Sequence, residues 1–176
     1  MGRIKDKAKL AGRRAAARLN RAVGNDDVLH LRGAFEIALC DLNGNVLERR
    51  GPINTVVTRG RREVLDIIRT GGNTKLFGWM AVGTSTTAPA TGDTLLGSES
   101  NRQSINSYDT TNLTSNPPSW VAQASWNTDV ANTTLGEVGI FNTSSANTQT
   151  LLARATFSTI NKTTSNTLAV SYTISN

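Results

Sequence analysis

The chain reads as an all-β protein, an antiparallel β-sandwich of about eight strands with one short helix and a basic, helical N-terminal arm. Three observations predict this. Short apolar runs with period-two alternation recur through the second half, the loops between them are rich in Gly, Pro, Asn, Ser and Thr, and no strand–helix–strand alternation suggests a parallel sheet. The eight-stranded jelly roll is the specific architecture expected of such a pattern.

The 176 residues fit one domain, and the net positive charge sits in its leader. Eight of the first twenty-one residues are basic (Arg3, Lys5, Lys7, Lys9, Arg13, Arg14, Arg18 and Arg21) against the single acid Asp6, a net +7 there. The whole chain carries +6, so the remainder carries about −1. Ile4, Ala8, Ala11, Ala15, Leu19 and Ala22 recur at steps of three and four, which places them on one stripe of a helix with the cations around it. A stripe made mostly of alanine is too thin to drive folding, so the arm is expected to order only against a partner. Residues 1–27 are therefore read as arm and hinge, with the hinge at Gly24-Asn25-Asp26-Asp27, and residues 28–176 as the β domain.

The body opens with Val28 to Cys40, then Asp41-Leu42-Asn43-Gly44 and a return from Val46 to Arg49. Asn43-Gly44 between apolar runs predicts a hairpin with a two-residue type I′ turn, since both residues tolerate positive φ. Thr58 is expected to cap a helix containing Val64, Leu65, Ile67 and Ile68 that plugs one end of a sheet and stops at Gly71-Gly72. Six further strands are predicted: Phe77 to Val82, Ser104 to Tyr108, Trp120 to Trp126, Leu135 to Phe141, Thr150 to Phe157 and Thr167 to Ile174. Two loops between them, Thr84 to Thr94 and Asn112 to Pro118, are expected to be exposed. Trp120, Ala122, Ala124 and Trp126 share one face of their strand, as do Leu168, Val170, Tyr172 and Ile174.

The chemistry-bearing residues are few. His30 is the only histidine and has no Gly-x-Ser-x-Gly elbow to go with it, so a histidine-based nucleophilic site is not expected. Cys40 is the only cysteine, which rules out an intrachain disulfide and a cysteine-based zinc cluster, and it is read as a small hydrophobe. The reading is of a protein that is not an enzyme and has no metal or cofactor; Asp93, Asp109 and Asp129 are the carboxylates left to consider for calcium. A glycosidase would need two carboxylates in a cleft, and Glu99 and Glu137 are the only glutamates after residue 63. In a region this poor in charge, the stronger expectation is that Glu99, Arg102, Glu137 and Arg154 form ion pairs, within the chain or at a subunit interface. No window approaches the ~20 apolar residues of a membrane span, and the leader lacks the apolar core of a secretion signal, so a cytoplasmically made protein without a membrane partner is expected.

Several runs carry a resemblance. They are Trp79-Met80-Ala81-Val82-Gly83-Thr84, the Pro89 to Leu96 loop with Asp93-Thr94, the Glu99/Arg102 pair, Glu137-Val138-Gly139-Ile140-Phe141, Leu152-Ala153-Arg154-Ala155-Thr156-Phe157, and Lys162 with Thr167 to Ile174. Together with Asn54-Thr55-Val56-Val57-Thr58 they resemble virion structural proteins of tailed bacteriophages, over about residues 50 to 176. The resemblance implies a jelly-roll module that assembles as a homotrimer on the outside of the particle, with no catalytic residue carried over. Such modules serve either as capsid decoration (cement) proteins or as tail, baseplate or receptor-binding components. The arm favours the capsid: three cationic helices at the base of a trimer can lock onto the major capsid protein where subunits meet, and a weak contact repeated three times becomes durable. The arm's other reading is a nucleic-acid ligand of a packaging protein, acting through phosphates because it has no aromatics to stack on bases.

Overall fold

The computed structural model describes residues 31–70, 77–145 and 149–175. The cationic arm, its hinge, His30 and Gly71-Gly72 lie outside the described residues. The body, from Leu31 onward, forms a unit of its own. Its elements are β1 (Arg32–Cys40), β2 (Val46–Arg50), β3 (Thr55–Val56), α1 (Thr58–Thr70), β4 (Trp79–Gly83), β5 (Glu99–Ser104), β6 (Ser107–Asp109), a 3-10 turn (Thr111–Thr114), β7 (Ser119–Trp126), β8 (Thr134–Phe141), β9 (Leu151–Asn161) and β10 (Thr167–Ser175). They make two antiparallel five-stranded sheets, ordered β2-β1-β10-β7-β6 and β3-β9-β8-β4-β5.

In the first sheet the alternation written in the sequence becomes three rows of side chains crossing the central strands. Phe35, Tyr172 and Ala122 form one row, Ile37, Val170 and Ala124 the next, and Leu39, Leu168 and Trp126 the third. All nine are buried, and they share one apolar core with Met80, Val82, Val138, Ile140, Ala153 and Ala155 of the second sheet. The two sheets thus bury their inner faces against each other, as layers of apolar side chains must. Residues of the opposite parity on β10, such as Ala169, Ser171 and Thr173, are left at least partly accessible.

The second sheet is covered on both faces along β4, β8 and the first half of β9, while β5 at its edge stays at least partly exposed. Its outer face carries a smaller cluster of Val57, Ala81, Leu96, Phe141 and Leu151, with Trp79 packed against it. Leu96 belongs to the connection between β4 and β5, which folds back over the sheet. A strand covered on both sides has no reason to alternate, which is why Leu135–Phe141 and Leu151–Ala155 are buried without a break.

Four of the pairings are nested: β1 with β10, β3 with β9, and β4 with β8 enclose β6 with β7, while β7 with β10 crosses them and closes the first sheet. The links β1–β2, β4–β5 and β8–β9 keep successive strands in one sheet.

Five local expectations are corrected. There are ten strands among the described residues, because the two-residue β3 and the polar Glu-Ser-Asn-Arg-Gln-Ser of β5 show no apolar alternation to read. The stretch Ser104 to Tyr108, expected as one strand, is split between the end of β5 and β6. At the hairpin only Gly44 has positive φ (85°), so the turn is not type I′: Gly44 N donates to Asp41 O at 3.1 Å and a register shift follows at Leu39/Cys40. This is the longer loop in which a turn is followed by a left-handed glycine and a bulge.

At α1, Arg61 N donates to Val57 O at 3.1 Å, so Val57 occupies the cap position and Thr58 is the first helical residue. The helix does not bury a four-residue stripe either. Gly60 is its one buried residue, Val64 packs partly on the core, and Leu65 and Ile68 are 63% and 65% exposed.

Candidate functional site

The densest polar cluster sits on the outer face of the second sheet, under the connection from Thr84 to Ser98. The strand register places it there. Glu137 on β8 lies opposite Gly83 on β4, and Arg154 on β9 lies opposite Gly139 on β8. Each charged side chain thus has a glycine across from it, and the space is needed. A Cβ on Gly83 would stand 2.5 Å from Glu137 Oε1 and 2.3 Å from Ser98 O, and one on Gly139 would meet Leu96 at 2.9 Å.

Glu137 is fully buried and both of its oxygens are occupied. Oε1 accepts from Ser98 N at 2.7 Å; Oε2 accepts from Gly97 N at 2.9 Å and from Arg154 Nε at 2.9 Å. Arg154, 3% exposed, extends the network outward. Its Nη1 donates to Asp93 Oδ2 at 2.9 Å and its Nη2 to Thr87 O at 3.0 Å, while Nη2 lies 2.8 Å from Glu137 Oε2. Burial by itself would pull the guanidinium's pKa down. The hydrogen bonds and charges of Asp93 and Glu137 outweigh it and raise the pKa. Asp93 Oδ2 also accepts from Ala90 N at 2.9 Å, closing the turn that presents it. Two side chains therefore fix Thr87, Asp93, Gly97 and Ser98, and Thr58 N holds Thr91 O at 2.8 Å from the side of the helix. A fifteen-residue connection becomes a built surface.

Arg102 heads a second cluster on β5. It binds Glu99 through two hydrogen bonds, Nε to Oε1 at 2.9 Å and Nη2 to Oε2 at 2.7 Å, and donates to Thr143 O at 2.7 Å and to Gln149 Oε1. Its guanidinium carbon lies 3.9 Å from the Phe141 ring centroid, a cation–π contact. Of the four residues read from the sequence, the structure thus brings Glu99 to Arg102 and Glu137 to Arg154, both within the chain. Asp93 is the partner sequence reasoning missed. It lies 61 residues from Arg154, and only the fold-back of its loop brings it there.

The glycosidase geometry is not assembled. Glu137 has no face open to a substrate, and Glu99 is engaged by Arg102. Among the described residues no group of three or more His, Cys, Asp or Glu side chains converges to hold a metal ion, and no helix is long and apolar enough to cross a membrane. Cys40 is half-buried at the end of β1. Lys162, after β9, is 1% exposed and donates to Asn132 Oδ1 at 2.9 Å; burial pushes its pKa below the ordinary lysine value, against the pull of the Asp129 charge. Tyr172 is likewise buried, which pushes its phenol well up, and its oxygen accepts from Asn54 Nδ2 at 3.2 Å.

These features define a two-sheet antiparallel β module whose buried ions hold loops in place. In comparisons with family models, curated proteins and solved structures, none matches this chain.

Proposed function

We propose that this protein is a non-enzymatic virion structural protein that decorates and stabilises a phage capsid. In this reading it is a homotrimer on the capsid exterior, docked on the major capsid protein through Arg3, Lys5, Lys7, Lys9, Arg13, Arg14, Arg18 and Arg21. The observation that carries the reading is charge segregation: +7 in the first twenty-one residues against about −1 in all the rest. A cationic leader on a nearly neutral module suits attachment to an anionic surface. The resemblance of residues 50 to 176 to tailed-phage virion proteins supplies the kind of surface.

The body supports a scaffolding role. The buried Glu137 carboxylate and Arg154 guanidinium are saturated by each other, by Asp93 and by backbone groups, an arrangement that fixes loop shape. The jelly roll belongs to this proposal as the finer description of the fold. Nested pairing of first with last and third with ninth strand is the pairing of a long hairpin rolled up, and the in-sheet links at β1–β2, β4–β5 and β8–β9 are its departure from the plain form.

The test is deletion of residues 1–24. The truncated protein should fold and self-associate as the full chain does, yet no longer bind expanded capsid shells, while full-length binding survives nuclease. Normal decoration by the truncated protein would refute the anchoring role. Nuclease-sensitive retention on duplex DNA at physiological salt would favour packaging, and labelling at the tail tip alone would favour a tail component.

A further inference from the structure

Two exposed apolar patches on the body differ in the sign of their charge. The first is the outer face of α1, where Leu65 and Ile68 stand 63% and 65% exposed among Arg61, Arg62 and Arg69. The helix as a whole holds four arginines against Glu63 and Asp66, a net +2. Arg69 pairs with Asp66, whereas Arg59, Arg61 and Arg62 make no ion pair among the described residues. The second patch is the tip of the β1–β2 hairpin, where Leu42, Val46 and Leu47 are 68%, 42% and 54% exposed. Asp41 stands beside them. Its carboxylate accepts from Asn43 N, Asn45 N and Asn45 Nδ2 at 2.8–2.9 Å, and no cation among the described residues is paired with it. The nearby cations are matched already, Arg49 by Glu36 and Arg50 by Glu48.

We infer that the outer face of α1 on one copy docks on the β1–β2 hairpin tip of a second copy, Leu65 and Ile68 packing on Leu42, Val46 and Leu47 with Arg61 and Arg62 facing Asp41. This deepens the self-association in the reading above and rests on it. Apolar side chains in number on both patches seek cover, and opposite charge makes each patch a better partner for the other than for itself. Two arginine-rich helices face to face would repel. Phosphate would match the arginines and leave Leu65 and Ile68 in water, so a nucleic acid fits this face poorly. The other exposed apolar and acidic spot, Tyr108 with Asp109 and Leu113, is a weaker mate: Tyr108 is already stacked at 5.9 Å on Trp120 and donates to Phe77 O at 3.3 Å. A contact between two different patches is head-to-tail, so it builds a closed ring when the rotation between copies returns to the start.

The test uses the full chain in sedimentation velocity, with Leu65→Asp/Ile68→Asp as the helix variant and Leu42→Asp/Leu47→Asp as the hairpin variant. Wild type should sediment as a closed oligomer, and each variant as a monomer with unchanged circular dichroism and thermal unfolding. An equimolar mixture of the two should give a two-chain species and nothing larger, because one intact helix face then meets one intact hairpin. The inference is overturned if either variant assembles like wild type, if the mixture stays monomeric, or if wild type is a monomer. Hydrogen exchange on unmodified protein checks it without substitutions: residues 42–47 and 61–69 should gain protection together as concentration rises, and protection of one alone would overturn it. Assembly that survives both variants sinks this interface but leaves the decoration reading intact. That reading fails separately, in the shell-binding experiment with the truncated arm.

Discussion

Arg154 Nη2 and Glu137 Oε2 lie 2.8 Å apart, with side chains 4% and 0% exposed, at the centre of the outer face of the second sheet. A pair this deeply buried stabilises mainly by not being broken: each ion compensates the desolvation of the other. Glu137→Leu or Arg154→Met alone should cost about 3–5 kcal/mol: the first strips Gly97 N and Ser98 N of their acceptor and leaves Arg154 with Asp93 as its counter-ion, and the second leaves the buried Glu137 carboxylate without its guanidinium. The double variant should recover a large part of that loss. Urea denaturation across the four-protein cycle measures this, and simple additivity of the two single losses would contradict it.

Gly60 tests how α1 is held. In an exposed helix alanine is better than glycine by about 1 kcal/mol. Here a Cβ would stand 2.6 Å from both Cα and O of Leu152 and 2.9 Å from Leu151 O, all backbone atoms that cannot swing away. Steric displacement should therefore win. Gly60→Ala is expected to lower stability by about 1–3 kcal/mol, the usual range for overpacking, and to raise amide exchange throughout Thr58–Thr70. A stabilised variant would show that the helix sits farther from β9 than these distances state.

The contrast between these two sites shows what the sequence discloses. Glu137 and Arg154 stand out because they interrupt apolar stretches in a segment with few charges, and a charge in such a place needs a partner. Asp93 carries no such mark, since an aspartate beside Gly92 in a Thr-rich loop looks like a turn residue, and its role depends on a long-range fold-back. The first sheet is legible because one face is solvated and the side chains alternate. The second is less so: β5 is polar throughout and β3 is two residues long, so neither offers periodicity. The hairpin's place follows from Asn43-Gly44. Its turn type does not, because the Asp41 carboxylate captures Asn43 N and Asn45 N and so favours a longer loop over the two-residue turn.

That carboxylate gives the hairpin an acid dependence of known sign. Side-chain and backbone hydrogen bonds from Asn45, with those from Asn43 and Gly44, hold Asp41 below the ordinary aspartate value of 3.8. A folded-state pKa below the unfolded one means that the stabilisation is fully present above 3.8 and is lost as pH falls through the folded value. Amide exchange at Asn43 and Asn45, corrected for intrinsic rates, should lose protection below that window. Asp41→Ala should already lack that protection at neutral pH. Equal protection in variant and wild type would remove the carboxylate from the turn.

Lys162 should make stability rise with pH as well, at the alkaline end and for the opposite reason, since here burial disfavours the charged form. Its ammonium is buried with Asn132 Oδ1 as hydrogen-bond acceptor, and desolvation lowers its pKa from the ordinary 10.5, only partly opposed by Asp129. Between the folded and unfolded values the unfolded chain binds more protons, so stability rises with pH across that window. Below it the cost of burying the charge is constant and complete; above 10.5 it is gone. Lys162→Met removes the charge and keeps the aliphatic stem. The variant should match or exceed wild type by up to about 1 kcal/mol at neutral pH, an effect in the range found when buried ions give way to apolar groups. Its advantage should shrink as pH approaches 10.5, because wild type then folds with a neutral amine. Chemical denaturation of both proteins from neutral to alkaline pH measures the difference, and a gap that stays constant or widens with pH would show that Lys162 is better solvated, or better paired, than its place beside Asn132 indicates.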